Sequence, residues 1–283
     1  MKTIELGSWS QFAAEIAEIR RRREESQTLH RRSFEMPLFR GLGCSDWTLE
    51  TTLERAYPLE LSFEICDLPV YYNYISRSKS SVETLTDTDW GALPDPPDFE
   101  KTLADFETLG AQFFLIKSGP LYRYLIYLRH HGFPSPLLDW TASPYVAAFF
   151  AFDSMTKDAQ SVSIYAMLRD SMRASSSDEP TVDIMGPYIR THRRHLIQQS
   201  QYSICMLWHL GYRFHSHNDA LARKGTLGLH GELIRMTIPA AERAAALSDL
   251  DQMNINAFSL FGSEDSLVRT VARRDGLLLR VRR

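Results

Sequence analysis

Apolar residues recur at helical spacing near the start of the chain, where Trp9, Phe12, Ala13, Ile16 and Ile19 follow Ser8 and run into the basic stretch Arg20 to Arg23. That spacing predicts an amphipathic helix over 8–26 with its apolar stripe on a core. Met36-Pro37-Leu38-Phe39-Arg40-Gly41 is a short apolar run closed by glycine, which predicts a strand ending in a turn, with Arg40 at the strand end. Residues 84–98 mix Pro94, Pro96 and Pro97 with acidic side chains and predict a surface loop between two helical blocks. From Phe106 to His131 the chain is apolar and aromatic, including Phe113, Ile116 and Tyr124 to Leu128, and reads as buried helix broken at Gly119-Pro120. Ser143 as cap and Pro144 as first residue predict a buried helix through Val146 to Phe152, with Asp139-Trp140-Thr141 in the loop before it. Alternation marks strands at Ser161 to Leu168, Tyr202 to Leu207 and Glu232 to Ile238, and Pro239 to Leu250 reads as an alanine-rich helix. The expected fold class is α+β: a mixed central sheet drawn mainly from the second half, an N-terminal amphipathic helix and peripheral helices. One domain over 36–275 would follow a helical segment, 1–35.

Composition narrows the class. With 283 residues, 44% hydrophobic and 24% charged, the chain can bury one large core or two closely packed ones. It has no run of about 18 apolar residues, and Met1-Lys2-Thr3-Ile4-Glu5 lacks the charged-then-apolar layout of a secretion signal, so the expected location is the cytoplasm, away from membranes. Cys44, Cys66 and Cys205 lie far apart without the close Cys/His pairing of a zinc site, which predicts free thiols and no metal. A net charge of −3 argues against nonspecific coating of DNA. Locally, Arg20 to Arg23, His30-Arg31-Arg32 and Arg190 with His192-Arg193-Arg194-His195 are basic, and read either as solvated faces or as contacts to phosphate. The histidines 192, 195, 209, 215 and 217 show no ligand spacing.

Several blocks stand in a telling order. Phe39-Arg40-Gly41 is followed by Trp47 and Arg55. Next comes Arg129-His130-His131-Gly132-Phe133-Pro134-Ser135-Pro136-Leu137-Leu138-Asp139-Trp140-Thr141, and after it Pro144 and Ala147-Ala148-Phe149-Phe150-Ala151. Gln199-Ser200-Gln201-Tyr202-Ser203 and Ile255-Asn256-Ala257-Phe258-Ser259-Leu260-Phe261 complete the series. Together they resemble the FRG-domain family from about residue 37 to 270. The chain departs from the family pattern at Arg129, where Gln is usual, at Ser135-Pro136, where Thr-Arg is usual, and by lacking a Gly within 199–202. If the missing Arg binds phosphate in other members, Arg129 replaces it or the contact is absent.

The order of motifs is also similar to ADP-ribosyltransferases of the Arg-Ser-Glu type, which implies a split sheet of that kind and NAD as substrate. On that resemblance Arg40 and Gly41 meet the dinucleotide, His131, Thr141 and Gln199 add contacts, and Gln199 with Gln201 orients the acceptor. Gln201 stands where a Glu is expected, so the carboxylate that stabilises an oxocarbenium-like state would come from Asp139, Glu232 or Glu264. Structural readings stand beside these: Arg40 closing the core on Asp139 or a Glu, and Asp139 or Ser143 acting only as a helix cap. The function implied is an NAD-dependent ADP-ribosyltransferase, a toxin or phage-defence effector modifying RNA, DNA or protein and held by an antitoxin or other inhibitory partner. The alternatives are a noncatalytic module that binds a nucleotide or a partner, and an NAD glycohydrolase.

Overall fold

The computed structural model describes residues 1–30, 35–57, 66–105, 116, 119–170, 179–186, 193–208, 212–223, 226–227 and 231–276. Its strands are β1 (Lys2–Glu5), β2 (Leu38–Leu42), β3 (Leu137–Thr141), β4 (Ser161–Leu168), β5 (Thr181–Ile184), β6 (Ser200–Trp208), β7 (Tyr212–Phe214) and β8 (Glu232–Pro239). They form one 8-stranded sheet in the order β1-β8-β4-β2-β3-β6-β5, with β7 also on β6. The sheet is mixed because β1 runs parallel to β8, whereas β8–β4, β4–β2, β2–β3 and β3–β6 are antiparallel. Helices surround it, so the fold is α+β.

The period-2 alternation of the strands separates the cores. Val162, Ile164 and Ala166 of β4 join Ile234, Met236 and Ile238 of β8 beneath three helices. These are α1 (Phe12–His30), which supplies Phe12, Ile16 and Ile19, α6 (Pro144–Asp153), and α9 (Arg243–Gln252). The alternate residues Tyr165 and Met167 face another cluster with Leu38, Leu42, Leu138 and Trp140. Between α1 and α6 lie α2 (Thr52–Ala56), α3 (Leu68–Thr86), α4 (Pro96–Asp105) and α5 (Pro120–His130). From α3 and α5 come Tyr71, Tyr72, Tyr122, Tyr124 and Leu125, which pack on Leu137, Tyr202 and Ile204. The remaining helices are short or peripheral: α7 (Arg193–Ile197), α8 (His217–Ala222), α10 (Ala257–Phe261) and α11 (Glu264–Arg274).

Four local expectations change. The segment 1–35 opens with a strand before its helix. The irregular stretch near the prolines covers only 87–95, because the Thr84 and Thr86 hydroxyls donate to the carbonyls of Ser80 and Val82 inside α3, and Pro96 opens α4. Asp139-Trp140-Thr141 is strand, not loop, paired residue for residue with Ser200 to Tyr202. Gly41 does not end β2 in a turn either: the strand continues to Leu42, and Arg40 sits in its middle. The expected helix over 106–115, with Phe113, lies outside the described residues, while the break at Gly119-Pro120 is the start of α5, where Gly119 has φ 86°.

Candidate functional site

Neighbouring strands β2 and β3 are joined at one register pair, Phe39↔Thr141, whereas β2–β4 and β3–β6 share five each. Beyond that pair the strands diverge, and the Arg40 side chain occupies the gap: its Nη1 donates to the Asp139 carbonyl at 2.7 Å. A side-chain donor thus satisfies a strand carbonyl that the ladder leaves open. Gly41 makes room on the other side, since a Cβ there would sit 1.9 Å from the Ala147 carbonyl oxygen of α6.

The divergence opens a cleft of about 380 Å³, within the range of small-molecule sites. Phe39, Trp47, Ala147, Phe150 and Phe261 give it apolar surface, and Arg40, Arg129, His130, Asp139, Arg194, Gln198, Ser200 and Tyr202 give it polar groups. Arg129, in the last turn of α5, places Nη2 2.5 Å from Asp139 Oδ2, and Arg40 Nη1 stands 3.9 Å from the same oxygen. Two guanidinium groups thus flank the one carboxylate, and with Arg194 also in the lining the cleft is net cationic. Burial pushes Arg40 down to about 10, with the Asp139 charge opposing the fall and Arg129 and Arg55 adding to it, so the group stays charged at neutral pH. Among the described residues, Arg40 Nε, Arg129 Nε and Asp139 Oδ1 are buried without a hydrogen-bond partner. Each such atom costs on the order of 1–3 kcal/mol, and three of them fall in one cluster.

Opposite Asp139 in the register, Tyr202 lies within 3.0 Å of His130 Nε2 through its hydroxyl. Burial, and then the Asp139 charge, raises the Tyr202 phenol far above its ordinary range, so it keeps its proton. Arg194 Nε donates to the Phe261 carbonyl at 3.0 Å, and its guanidinium lies over that ring. Gln198 Nε2 donates to the Leu260 carbonyl, which ties α10 to the rim.

The residues expected at a site separate into two groups. Arg40, Gly41, Asp139 and Thr141 line the cleft. The Thr141 hydroxyl is already committed, donating to the Gln198 carbonyl at 2.7 Å and accepting from the Ser143 amide at 3.0 Å. His131, Gln199 and Gln201 do not line it. His131 caps α5 and rests its ring 4.2 Å from Tyr127. Gln199 is exposed with φ 49° at the turn into β6, and Gln201 pairs with Trp140, whose cluster is on the opposite face from Tyr202. Glu232 and Glu264 are likewise elsewhere, on β8 and on the exposed first turn of α11, which leaves Asp139 as the carboxylate of the lining. Phe150, Gln198, Ser200, Tyr202 and Phe261 join the lining without having been expected there, and Arg194 was expected only as part of a basic cluster that reads as a solvated face or a phosphate contact. Besides that basic cluster, the family-like blocks at 199–203 and 255–261 pointed to that side of the cleft. Of the basic cluster near residue 190, Arg190 and His192 lie outside the described residues.

Residues 35–160 match the family model of the FRG domain. An FRG-domain match thus covers this stretch, somewhat under half of the chain. No curated protein and no solved structure matches it. The FRG match contains Arg40, Arg129, His130, Asp139 and Phe150, while Arg194, Gln198, Ser200, Tyr202 and Phe261 complete the same cleft from beyond residue 160. Among the described residues no helix is long and apolar enough to cross a membrane.

Proposed function

We propose that the FRG-domain cleft binds NAD and that the chain transfers ADP-ribose from it to a nucleic acid or protein acceptor, as a toxin or defence effector. The observation that carries this reading is the Arg40–Asp139–Arg129 cluster at the divergence of β2 and β3. Its guanidinium donors suit a pyrophosphate, and its carboxylate suits ribose hydroxyls or the positive charge that develops at the anomeric carbon. The aromatic residues Trp47, Phe150 and Phe261 offer surfaces on which a base or a nicotinamide ring can stack. A second reading, a noncatalytic nucleotide-binding module, is favoured by two observations: Asp139 is engaged by Arg129, and Gln201 stands off the cleft.

Labelled NAD incubated with the protein and separate pools of RNA, DNA and protein tests both. Label on one pool, with free nicotinamide, is the expected result. Arg40→Ala should weaken NAD binding roughly 10- to 100-fold, the equivalent of one charge-assisted hydrogen bond of ~1.5–3 kcal/mol. Nicotinamide without label means hydrolysis, and NAD binding without either product means the noncatalytic module. Failure to bind NAD at all refutes both.

A further inference from the structure

An amphipathic helix on the surface of a folded chain turns its apolar stripe to the core. Helix α11 does the reverse. It buries Ser266, Thr270 and Arg273, which recur at helical spacing, and leaves Val268 66%, Val271 46% and Leu267 42% exposed. The inward polar groups have partners in the fold: the Ser266 hydroxyl donates to the Ser263 carbonyl, the Thr270 hydroxyl donates to the Ser266 carbonyl and accepts from the Phe258 amide, and Arg273 Nη2 pairs with Asp153. Phe258, tied to α11 by that amide, is itself 45% exposed. Polar contacts thus fix the helix in place, and its apolar side is left facing outward, the mark of an interaction surface.

The charges around this face leave one sign uncompensated. Arg269 is paired with Asp153 and Arg274 with Asp251. Glu264, Asp265 and Asp275 are exposed, and among the described residues their carboxylates have no ion pair or hydrogen bond. Glu264, Val268, Val271 and Asp275 follow one another at intervals of four, three and four residues, so they form one outward stripe with a carboxylate at each end. At ~1.5 Å per residue those ends stand about 16 Å apart.

That pattern selects the occupant. Two copies of the stripe laid together, parallel or antiparallel, set carboxylate against carboxylate at both ends, and an anionic lipid surface meets the same repulsion. The complement is an apolar centre between basic ends. Because the stripe is straight and keeps helical spacing, a second helix lying along it matches it position for position. We infer that the outer face of α11 docks a cationic amphipathic helix of another protein, with apolar side chains on Val268 and Val271 and lysine or arginine at Glu264 and Asp275. This inference does not depend on the NAD-transfer reading.

The test measures, by fluorescence anisotropy on the full chain, binding of two labelled helical peptides of equal length. One has a leucine face with lysine at both ends, and the other has glutamate in place of each lysine. The proteins are wild type, Val268→Ser with Val271→Ser, and Glu264→Gln with Asp275→Asn. Every altered side chain is exposed, so the variants keep the wild-type fold, which circular dichroism checks. The lysine peptide should bind wild type about tenfold or more tighter than the glutamate peptide. The serine variant should weaken that binding about fivefold or more. The Gln/Asn variant should weaken it roughly threefold or more and remove most of its salt dependence. Smaller differences in any of the three comparisons overturn the inference. So does a wild-type dimer in sedimentation that the serine variant dissociates, which would make a second copy the occupant. A lysine peptide that binds only after residues 277–283 are deleted overturns it as well, because that segment of the chain would then be the occupant.

Discussion

Replacing Gly41 with alanine isolates the role of the glycine in Phe39-Arg40-Gly41. The added Cβ would lie 1.9 Å from the Ala147 carbonyl oxygen, 2.7 Å from the Ala151 nitrogen and 2.9 Å from the Ala147 carbonyl carbon. All three are backbone atoms of α6, so no rotamer change relieves the contact. Opening the shortest one to an ordinary separation of at least 3.0 Å moves the helix by more than an ångström. That helix carries Ala147, Ala148, Phe149, Ala151 and Phe152, all at 0% exposure, and a shift of that size gives up much of their dispersion contact. Overpacking of side chains costs ~1–3 kcal/mol, and a clash with backbone belongs at or above the top of that range, so we expect a loss of about 3–4 kcal/mol. Gly262→Ala serves as the control. There nothing lies within 4 Å and only the φ of 65° at the end of α10 resists a side chain, which predicts a loss of roughly 1 kcal/mol. Urea unfolding of the three proteins, compared by midpoint at constant m-value, measures both losses. Because the obstruction is a main-chain carbonyl, adding Ala147→Gly to Gly41→Ala should not restore stability. A Gly41→Ala protein within 1 kcal/mol of wild type, or one rescued by Ala147→Gly, would refute close backbone approach as the reason for this glycine.

Two further predictions concern charge. His217 is buried at the start of α8, and burial, with the Arg40 charge second, pushes its imidazole down to about 3 from an ordinary 6.5. The unfolded chain therefore takes up a proton on this residue that the folded chain refuses, so the stability present above pH 6.5 is lost as pH falls toward 3. Between pH 7 and 5 the loss is about 2 kcal/mol, and His217→Leu should flatten the urea-midpoint profile by that amount; parallel profiles would contradict it. A double-mutant cycle on Arg129→Leu and Asp139→Leu should return a coupling of about 1–2 kcal/mol. That is below the ~3–5 kcal/mol of breaking a fully buried pair because 38% of the Asp139 side chain is exposed, and additivity within about 0.5 kcal/mol would show the pair contributes nothing.

Much of the secondary structure was legible because it rests on local physics. Ser143 does accept from the Val146 amide ahead of Pro144, and β4 and β8 follow the alternation of Ser161 to Leu168 and Glu232 to Ile238. The site was less legible, for reasons that lie in pairing. Leu137 to Thr141 is too short to show its period, and its identity as strand comes from β6, more than 60 residues later. β1 carries four residues with only Ile4 half-buried, so nothing local marks it as a partner of β8. Of the adjacent imidazoles at 130 and 131, the end of α5 turns one toward Tyr202 and the other onto Tyr127, a difference that depends on which side of the helix meets the sheet.

The position of Arg40 ties the fold to the cleft. A sheet whose central strands part normally leaves carbonyl groups open, and buried carbonyls without donors are scarce in folded proteins. Here the Arg40 guanidinium supplies the missing donor to the Asp139 carbonyl while remaining a cation beside the Asp139 carboxylate. Lysine could bring charge to that place, but its ammonium lacks the planar fork that reaches a main-chain oxygen and a second anion together. Leucine could fill the volume and would leave the carbonyl bare. On this reasoning the same side chain that keeps β2 and β3 apart also makes the space between them attractive to an anion, so the cleft and its charge are consequences of one residue in the middle of one strand.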